Sequence, residues 1–425
     1  MRSRLASGAT VLVNATSRRL GRGQGTVAGG RAGLRLSPTL LEHLSAGRQI
    51  ALVSGTNGKT TTTRLLAVAL GASGDDVVSN ETGSNMPPGH VAALAGSTAH
   101  RAVLEVDEAY LPLVLTATSA AAVVLLNLSR DQLDRTNEVR ILAARWRAAL
   151  AAAPHTHVVA NADDPLVVWG AGAAVNVHWV GAGLRWQHDA VGCPSCAGRI
   201  VFDQESWSCS GCEFARPRPE ASLGFGTQGE TWGQWADDRR LGVELALPGR
   251  FNAANALVAA VAAETCGVDA SDALAAMAEV SSVAGRFTVR SVGDVRARLM
   301  LAKNPAGWDE LLDLVVGGQA PLVLSINARV ADGADPSWLW DVPFERLAGR
   351  RVVVTGDRYR DLSVRLRYGG VTHDTDADPV RAVALAAVAA AVVAPTHGPT
   401  GPVDPQTVDV IGNYTAFAEL LRAPA

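Results

Sequence analysis

"RQIALVSGTNGKTTTTRLLAVAL", residues 48–70, is the string on which the fold turns. An apolar run, a short glycine-bearing loop and a helical pattern headed by threonines read as strand, tight turn and helix. Gly55 and Gly58 let main-chain N–H groups point inward to cradle phosphates where the helix starts. Lys59 is placed to neutralise phosphate oxygens, and Thr60 to ligate Mg²⁺. The loop departs from the pattern G-x-x-x-x-G-K-[ST], because Val53 stands where the first glycine belongs. The expectation is a nucleotide loop of a variant kind, Gly55-Thr56-Asn57-Gly58-Lys59-Thr60-Thr61.

Outward from this loop the same rhythm repeats. "HRAVLEVDEAYL" (100–111), "SAAAVVLLNLSRDQLDR" (119–135) and "THVVANADDP" (156–165) are apolar strands that end in polar residues. Strands alternating with helices imply an α/β fold with a parallel sheet and ligands at the carboxyl ends of its strands. The polar tails Glu105, Asp107, Glu108, Asn127, Arg130 and Asp131 fall at such ends, where a nucleotide site would collect metal ligands. Residues 186–236 carry four tryptophans, four cysteines and several prolines but little periodicity, and read as an insertion. "LALPGRFNAANALVAAVAAETCGV" (245–268) resumes with a turn and a long helix. A second α/β pattern has strands at "RLMLAKNP" (298–305), "PLVLSIN" (321–327) and "RRVVVTGD" (350–357). The expected division is a Gly/Arg-rich N-terminal segment at 1–43 with a short helix near "SPTLLEHLSAG", an ATPase domain at 44–292, and a smaller domain at 293–425.

Composition narrows the function classes. A chain of 425 residues exceeds one ordinary core. A net charge of −3 gives no electrostatic reason to expect nucleic acid. The start shows no secretory signal, and the longest apolar run, "AVALAAVAAAVVA" (382–394), is too short to span a bilayer. The expectation is a cytoplasmic protein without structural disulfides. Only two of the 38 basic residues are lysines, Lys59 and Lys303. Lysine is a compact point charge where arginine is a planar fork, so each surviving lysine is a functional candidate. Cys193, Cys196, Cys209 and Cys212 follow C-x₂-C-x₁₂-C-x₂-C, the spacing of a closed structural Zn²⁺ site on two knuckles. Cys266 is left over and reads as a buried thiol. His155 and His157 read as packing at a strand start.

The loop resembles the "G-T-N/K-G-K-T-[ST]" loop of the Mur ligase family, ATP-dependent enzymes that join amines to carboxylates. Three further strings resemble that family in order. "LEVDEAYL" (104–111) implies Glu108 as a Mg²⁺ ligand. "GRFNAANALVAA" (249–260) implies Asn255 facing adenine. "GRF" (285–287) implies Arg286 near the phosphates. With the Cys₄ ribbon, "NLSRDQLDR", "LAKNPAGW" (301–308, with Lys303 and Asn304), "GDRYRDLSVRLRYGG" (356–370) and "GNYTAF" (412–417), the chain is similar from about residue 10 to 420 to the MurT branch of the family.

That resemblance implies an ATP- and Mg²⁺-dependent subunit that activates the α-carboxylate of D-glutamate in the lipid II stem peptide. Ammonia would then come from a separate GatD-type glutamine amidotransferase in a heterodimer at the inner membrane face. Lys59 and Glu108 would act at the phosphoryl group, and Asp361 would orient the partner's catalytic histidine across the interface. The chain's own cysteine, in "AETCGVDA", lacks a nucleophile elbow, which fits a borrowed glutaminase. Departures are Gln132 where many Mur ligases have histidine, the lack of lysine in 133–160, and too few residues before the ATPase for a uridine-nucleotide-binding domain. The alternatives are an amino-acid ligase resembling folylpolyglutamate synthase, and a nucleotide-binding scaffold without chemistry.

Overall fold

The computed structural model describes residues 2–19, 26–80, 84–130, 139–183, 186–203, 206–227, 229–283, 285–391 and 407–424. They form two compact units, the first drawn from residues up to 129 and from 139 to 281, the second from 282 onward together with Arg130.

The first unit opens with three helices, α1 (Arg2–Arg19), α2 (Thr26–Leu36) and α3 (Leu40–Ser45). An alternation follows: β1 (Gln49–Ser54), α4 (Lys59–Gly71), β2 (Val77–Ser79), α5 (Pro87–Ala95), β3 (Arg101–Glu105), α6 (Leu111–Thr118), β4 (Ala122–Leu125), α7 (Val139–Ala151), β5 (His157–Asn161), α8 (Pro165–Ala171) and β6 (Asn176–Gly181). After it come β7 (Ile200–Phe202), β8 (Trp207–Cys209), β9 (Ala221–Phe225), β10 (Thr231–Trp235), β11 (Arg240–Gly242), α9 (Arg250–Thr265) and α10 (Ala270–Ala278). The main sheet has the order β11-β10-β9-β6-β5-β4-β1-β3-β2. From β2 to β9 its neighbours are parallel, whereas β10 and β11 run antiparallel. Strand β1 lies between β3 and β4 and is buried from Ile50 to Ser54, as its unbroken apolar run requires. Local chemistry starts α8: Asp164 accepts from the N–H groups of Leu166 and Val167, and Pro165 follows at the first helical position.

Two regions differ from the sequence reading. The N-terminal segment holds α1 and α2 as well as the expected short α3. Helix α1 buries Ala6, Thr10 and Asn14, so no apolar stripe of period 3.6 announces it. In α2, Gly29 and Gly33 read as breakers but let the helices meet: a Cβ on Gly33 would lie 2.2 Å from Thr10 Oγ1. The other region is the expected insertion, whose later part supplies β9 and β10 to the main sheet. There Gly224 and Gly233 lie against the rings of Trp232 and Trp235, which removes the alternation that marks a strand.

The second unit comprises β12 (Phe287–Val292), β13 (Val295–Leu301), α11 (Pro305–Val316), β14 (Leu322–Ser325), β15 (Val352–Thr355), α12 (Tyr359–Tyr368), β16 (His373–Thr375), α13 (Pro379–Ala391), β17 (Val408–Gly412) and α14 (Tyr414–Arg422). Its sheet has the order β12-β13-β17-β14-β15-β16, antiparallel only at the β12–β13 hairpin. Arg298 and Asp409 are register neighbours on β13 and β17, joined by two hydrogen bonds of 2.7 and 2.8 Å. The guanidinium fork satisfies a carboxylate that is almost fully buried.

Candidate active site

The loop between β1 and α4 has the backbone its glycines require. Gly55 has φ +139° and Gly58 φ +86°, and a Cβ on Gly55 would lie 2.9 Å from Leu126 Cβ. Gly58 is the residue preceding α4, whose start has no side-chain cap. The first N–H groups of a helix have no partner within it, so residues 58–61 offer an anion site at the positive end of α4.

The tail of β4 fixes the loop. Asn127 accepts from the Asn57 N–H at 2.9 Å and donates to the Asn57 carbonyl at 3.0 Å. Thr56 donates its N–H to the Asn127 carbonyl, and its hydroxyl both donates to the Ser129 carbonyl and accepts from the Ser129 N–H. The N–H groups of Thr56 and Asn57 are thus committed to loop shape, leaving phosphate contacts to the glycine and helix amides that follow. Asn127 stands at a strand end where the sequence suggested a metal ligand, yet both of its amide groups clamp main chain.

Lys59 is buried with 5% side-chain exposure, and its ammonium lies 3.3 Å from Glu108 Oε2, also largely buried at 11%. It donates as well to the Gly55 carbonyl at 2.5 Å. The pair brings together two of the three proposed catalytic residues, one from the segment after β1 and one from the segment after the parallel neighbour β3. Glu108 is held from behind, since fully buried Trp146 of α7 donates its indole N–H to the Glu108 carbonyl at 2.9 Å. Further back, Asn80 exchanges hydrogen bonds with both the N–H and the carbonyl of Glu105. His90 donates to that same carbonyl, and burial pulls its imidazole down to about 4, so the ring is neutral. Asp107 serves the turn by accepting from the Ala109 N–H.

Thr60 and Thr61 lie buried on the first turn of α4, near the Lys59–Glu108 pair. The Thr60 hydroxyl and the Glu108 carboxylate are each oxygen donors of the kind Mg²⁺ takes, and the helix amides with Lys59 suit phosphate. Asn255 of α9 joins them, its side-chain oxygen 2.8 Å from where a Cβ on Gly58 would stand. Arg286, Lys303, Asn304 and Asp361 belong to the second unit. Arg286 and Lys303 are half-buried there. Asn304 is fully buried and accepts from the Gly307 N–H at 2.9 Å, capping α11. Asp361 lies in the first turn of α12 but does not cap it; it is exposed and ion-paired with Arg358 at 2.8 Å. Gln132 and Asp131 lie outside the described residues.

The four cysteines converge, with every Sγ within 4.8 Å of the others. Cys196 and Cys209 accept N–H bonds from Gly198 and Gly211, two residues on in each case, as thiolates on metal knuckles do. The Gly211 N–H is the largest influence drawing Cys209 down to about 7. Four sulfur donors can hold one metal ion with no open position. The ribbon is fastened to the sheet by Trp207, which donates to the Ala162 carbonyl, and by the Arg216–Asp163 ion pair at 2.6 Å.

Cys266 is buried at the end of α9, and burial pushes its thiol up. His157 is more than packing: its ring nitrogen lies 3.1 Å from that of His178, which meets Glu220. Trp146, Asn80 and His90 were not foreseen. A tryptophan on an apolar helix face reads as core, and no local pattern says that its N–H reaches a carbonyl from another strand.

The Mur ligase middle domain family matches residues 53–189, and the MurT ligase C-terminal family matches 301–417. The chain is 28% identical over 383 residues to the subunit MurT of lipid II isoglutaminyl synthase (glutamine-hydrolyzing) from Streptococcus pneumoniae, spanning 82% of this chain and 83% of that one. The Staphylococcus aureus protein of the same name is 28% identical over 381 residues, spanning 85% and 86%. Among solved structures, a pseudomurein peptide ligase type C from Methanothermus fervidus superposes with TM-score 0.66 at 18% identity, over 90% of this chain and 80% of that one.

Proposed function

We propose that this chain, which carries a Mur ligase middle domain and a MurT ligase C-terminal domain, is the synthetase subunit of a lipid II isoglutaminyl synthase. The observation that carries the reading is similarity to MurT subunits over more than four fifths of the chain, together with a buried Lys59–Glu108 pair at the head of α4. The reaction moves the γ-phosphoryl group of ATP onto the α-carboxylate of D-glutamate in the stem peptide. Ammonia attacks the acyl phosphate, the C–O bond to phosphate breaks, and an amide and inorganic phosphate leave.

In this reading the amides of residues 58–61 and Lys59 hold the phosphates. Lys59 would offset charge as it spreads over the transferring group, and the family resemblance gives Arg286 the role of a second cation. Thr60 and Glu108 would hold Mg²⁺, which when bound would offset negative charge on the phosphates. Asn255 would face the adenine. Lys303 and Asn304, in the string "KNP" that resembles the MurT pattern, would be counted among the cofactor-binding residues by that resemblance. The four cysteines would hold a structural Zn²⁺. The partner is a GatD-type glutamine amidotransferase that releases ammonia, with Asp361 on the face that meets it. The substrate is carried on lipid, so the work is done at the inner face of the plasma membrane, with no nucleic acid involved.

An amino-acid ligase is the second reading, but the Cys₄ ribbon and the "KNPAG" string favour the first. Intact Lys59, Thr60 and Glu108 speak against a scaffold without chemistry. The test is amide formation on a stem-peptide substrate by the isolated chain with ATP and Mg²⁺. Product is expected from high ammonium and not from glutamine, read as a loss of about one mass unit where OH becomes NH₂. Vigorous use of glutamine by the isolated chain would overturn the split-subunit reading.

A further inference from the structure

The N-terminal helices wear their chemistry inside out. Helix α1 turns Ala6, Thr10 and Asn14 inward and leaves Leu5 and Leu12 65% and 68% exposed, with Val11 beside them. Leu5 and Leu12 are seven residues apart and so lie on one face, two turns from each other. Arg4, Arg18 and Arg19 are exposed too, Arg19 on the leucine face, Arg4 flanking it and Arg18 further round the helix. Helix α2 repeats the pattern, burying Gly29, Gly30 and Gly33 while exposing Leu36, Arg31 and Arg35. Residues 1–41 contain seven arginines and no aspartate or glutamate, in a chain whose net charge is −3.

Scattered exposed leucines are ordinary, but leucines sharing a helix face in a segment that is basic throughout are not. Arginine alone would suit a polyanion such as nucleic acid, which gives the leucines nothing. A second copy of the chain would cover the leucines yet set like charges against each other. An anionic bilayer accepts both, apolar side chains below the headgroups and guanidinium groups among the phosphates. No helix of the described residues is long and apolar enough to cross a membrane, so the helices would lie on its surface.

We infer that α1 and α2 form a docking surface for an anionic lipid bilayer. This goes beyond the amidation reading and does not depend on it, although a lipid-borne substrate would sit on the same surface.

The test is flotation of the full chain with phosphatidylcholine vesicles and with equimolar phosphatidylcholine/phosphatidylglycerol vesicles, without nucleotide or stem peptide. Binding is expected only to the anionic vesicles, and it should weaken as salt rises. Arg4→Gln with Arg19→Gln should reduce it roughly twenty-five-fold, about fivefold for each charge near the surface. Leu5→Ser with Leu12→Ser should reduce it roughly tenfold. Both variants should keep the parent melting temperature and ammonia-dependent amidation of a soluble stem peptide, since the altered side chains face solvent outside the active site. Absence of binding to anionic vesicles, or binding unchanged in the leucine variant, would overturn the inference. So would duplex binding lost only in the arginine variant, or a dimer lost in the leucine variant with no vesicle binding.

Discussion

Glu108 can meet a phosphate-bound cation only if its backbone stays still, and the Trp146 indole is the group that holds it. Trp146→Phe keeps most of the ring's packing and leaves the Glu108 carbonyl without its donor, at a cost of about 1 kcal/mol. The expected result is a severalfold rise in KM for Mg·ATP, with a smaller effect on kcat and a melting temperature lowered only slightly. A lowered melting temperature with unaltered kinetics would make the tryptophan core and nothing more. Asp164 is a different case, because its carboxylate is buried and burial raises it from 3.8 to about 6, against three N–H donors that pull the other way. The folded chain therefore binds this proton more tightly than the unfolded chain does. The resulting stabilisation is complete below pH 3.8 and is lost as pH climbs through about 6. Asp164→Asn retains an oxygen for Leu166 and Val167 but points its NH₂ at the Leu128 N–H, so it destabilises at every pH. Its deficit relative to the parent should shrink by about 2–3 kcal/mol between pH 4 and 7, read from urea unfolding. A deficit independent of pH would show that the carboxyl is not held protonated in the fold.

Among the elements, β7 and β8 have the least to sustain them. They form an isolated two-stranded ribbon over a small cluster of Ile200, Trp207, Cys193 and Cys209 with Val168 of α8. Such a pair is marginal in water unless a metal closes it. Stripping the metal with a strong chelator should expose β7 and β8 to hydrogen exchange and lower the melting temperature, with Zn²⁺ restoring both. Cys196→Ser should mimic the chelator, while nucleotide binding at the Gly55–Thr61 loop persists. Purified chain without bound zinc, together with indifference to the chelator, would remove zinc from the account. The ribbon was legible because cysteine spacing is a local code, and so was the β1–α4 unit, where an apolar run, glycines and a lysine fall in one string. Helices α1 and α2 were not, because small buried residues and outward leucines invert the pattern that reveals a helix. Strands β9 and β10 were hidden for another reason, their glycines making room for tryptophan rings where alternation would have been expected.

For the whole molecule, the proposed reaction is divided: the sequence suggested residues for phosphate and metal, and the resemblance assigned the making of ammonia to a partner. The loop residues Gly55–Thr61, Glu108 and Asn255 gather in one unit, and their order along the chain was enough to anticipate that. The clamps behind them, Trp146, Asn80, His90 and Ser129, depend on contacts between distant segments and leave no trace in any single string. Asp361 sits at the far end of this logic, exposed on α12 with a side chain 45% accessible and ion-paired with Arg358. Exposed pairs of this kind contribute at most about 1 kcal/mol, so Asp361→Asn should fold and melt like the parent. If the aspartate fixes the tautomer of a partner's histidine, its loss reaches only the half-reaction that the partner performs. With the glutaminase subunit added, Asp361→Asn should depress glutamine-dependent amidation by an order of magnitude or more and leave ammonium-dependent amidation near the parent rate. Equal loss from both nitrogen sources would place Asp361 in the ligase chemistry instead, and equal retention would reduce it to a surface ion pair.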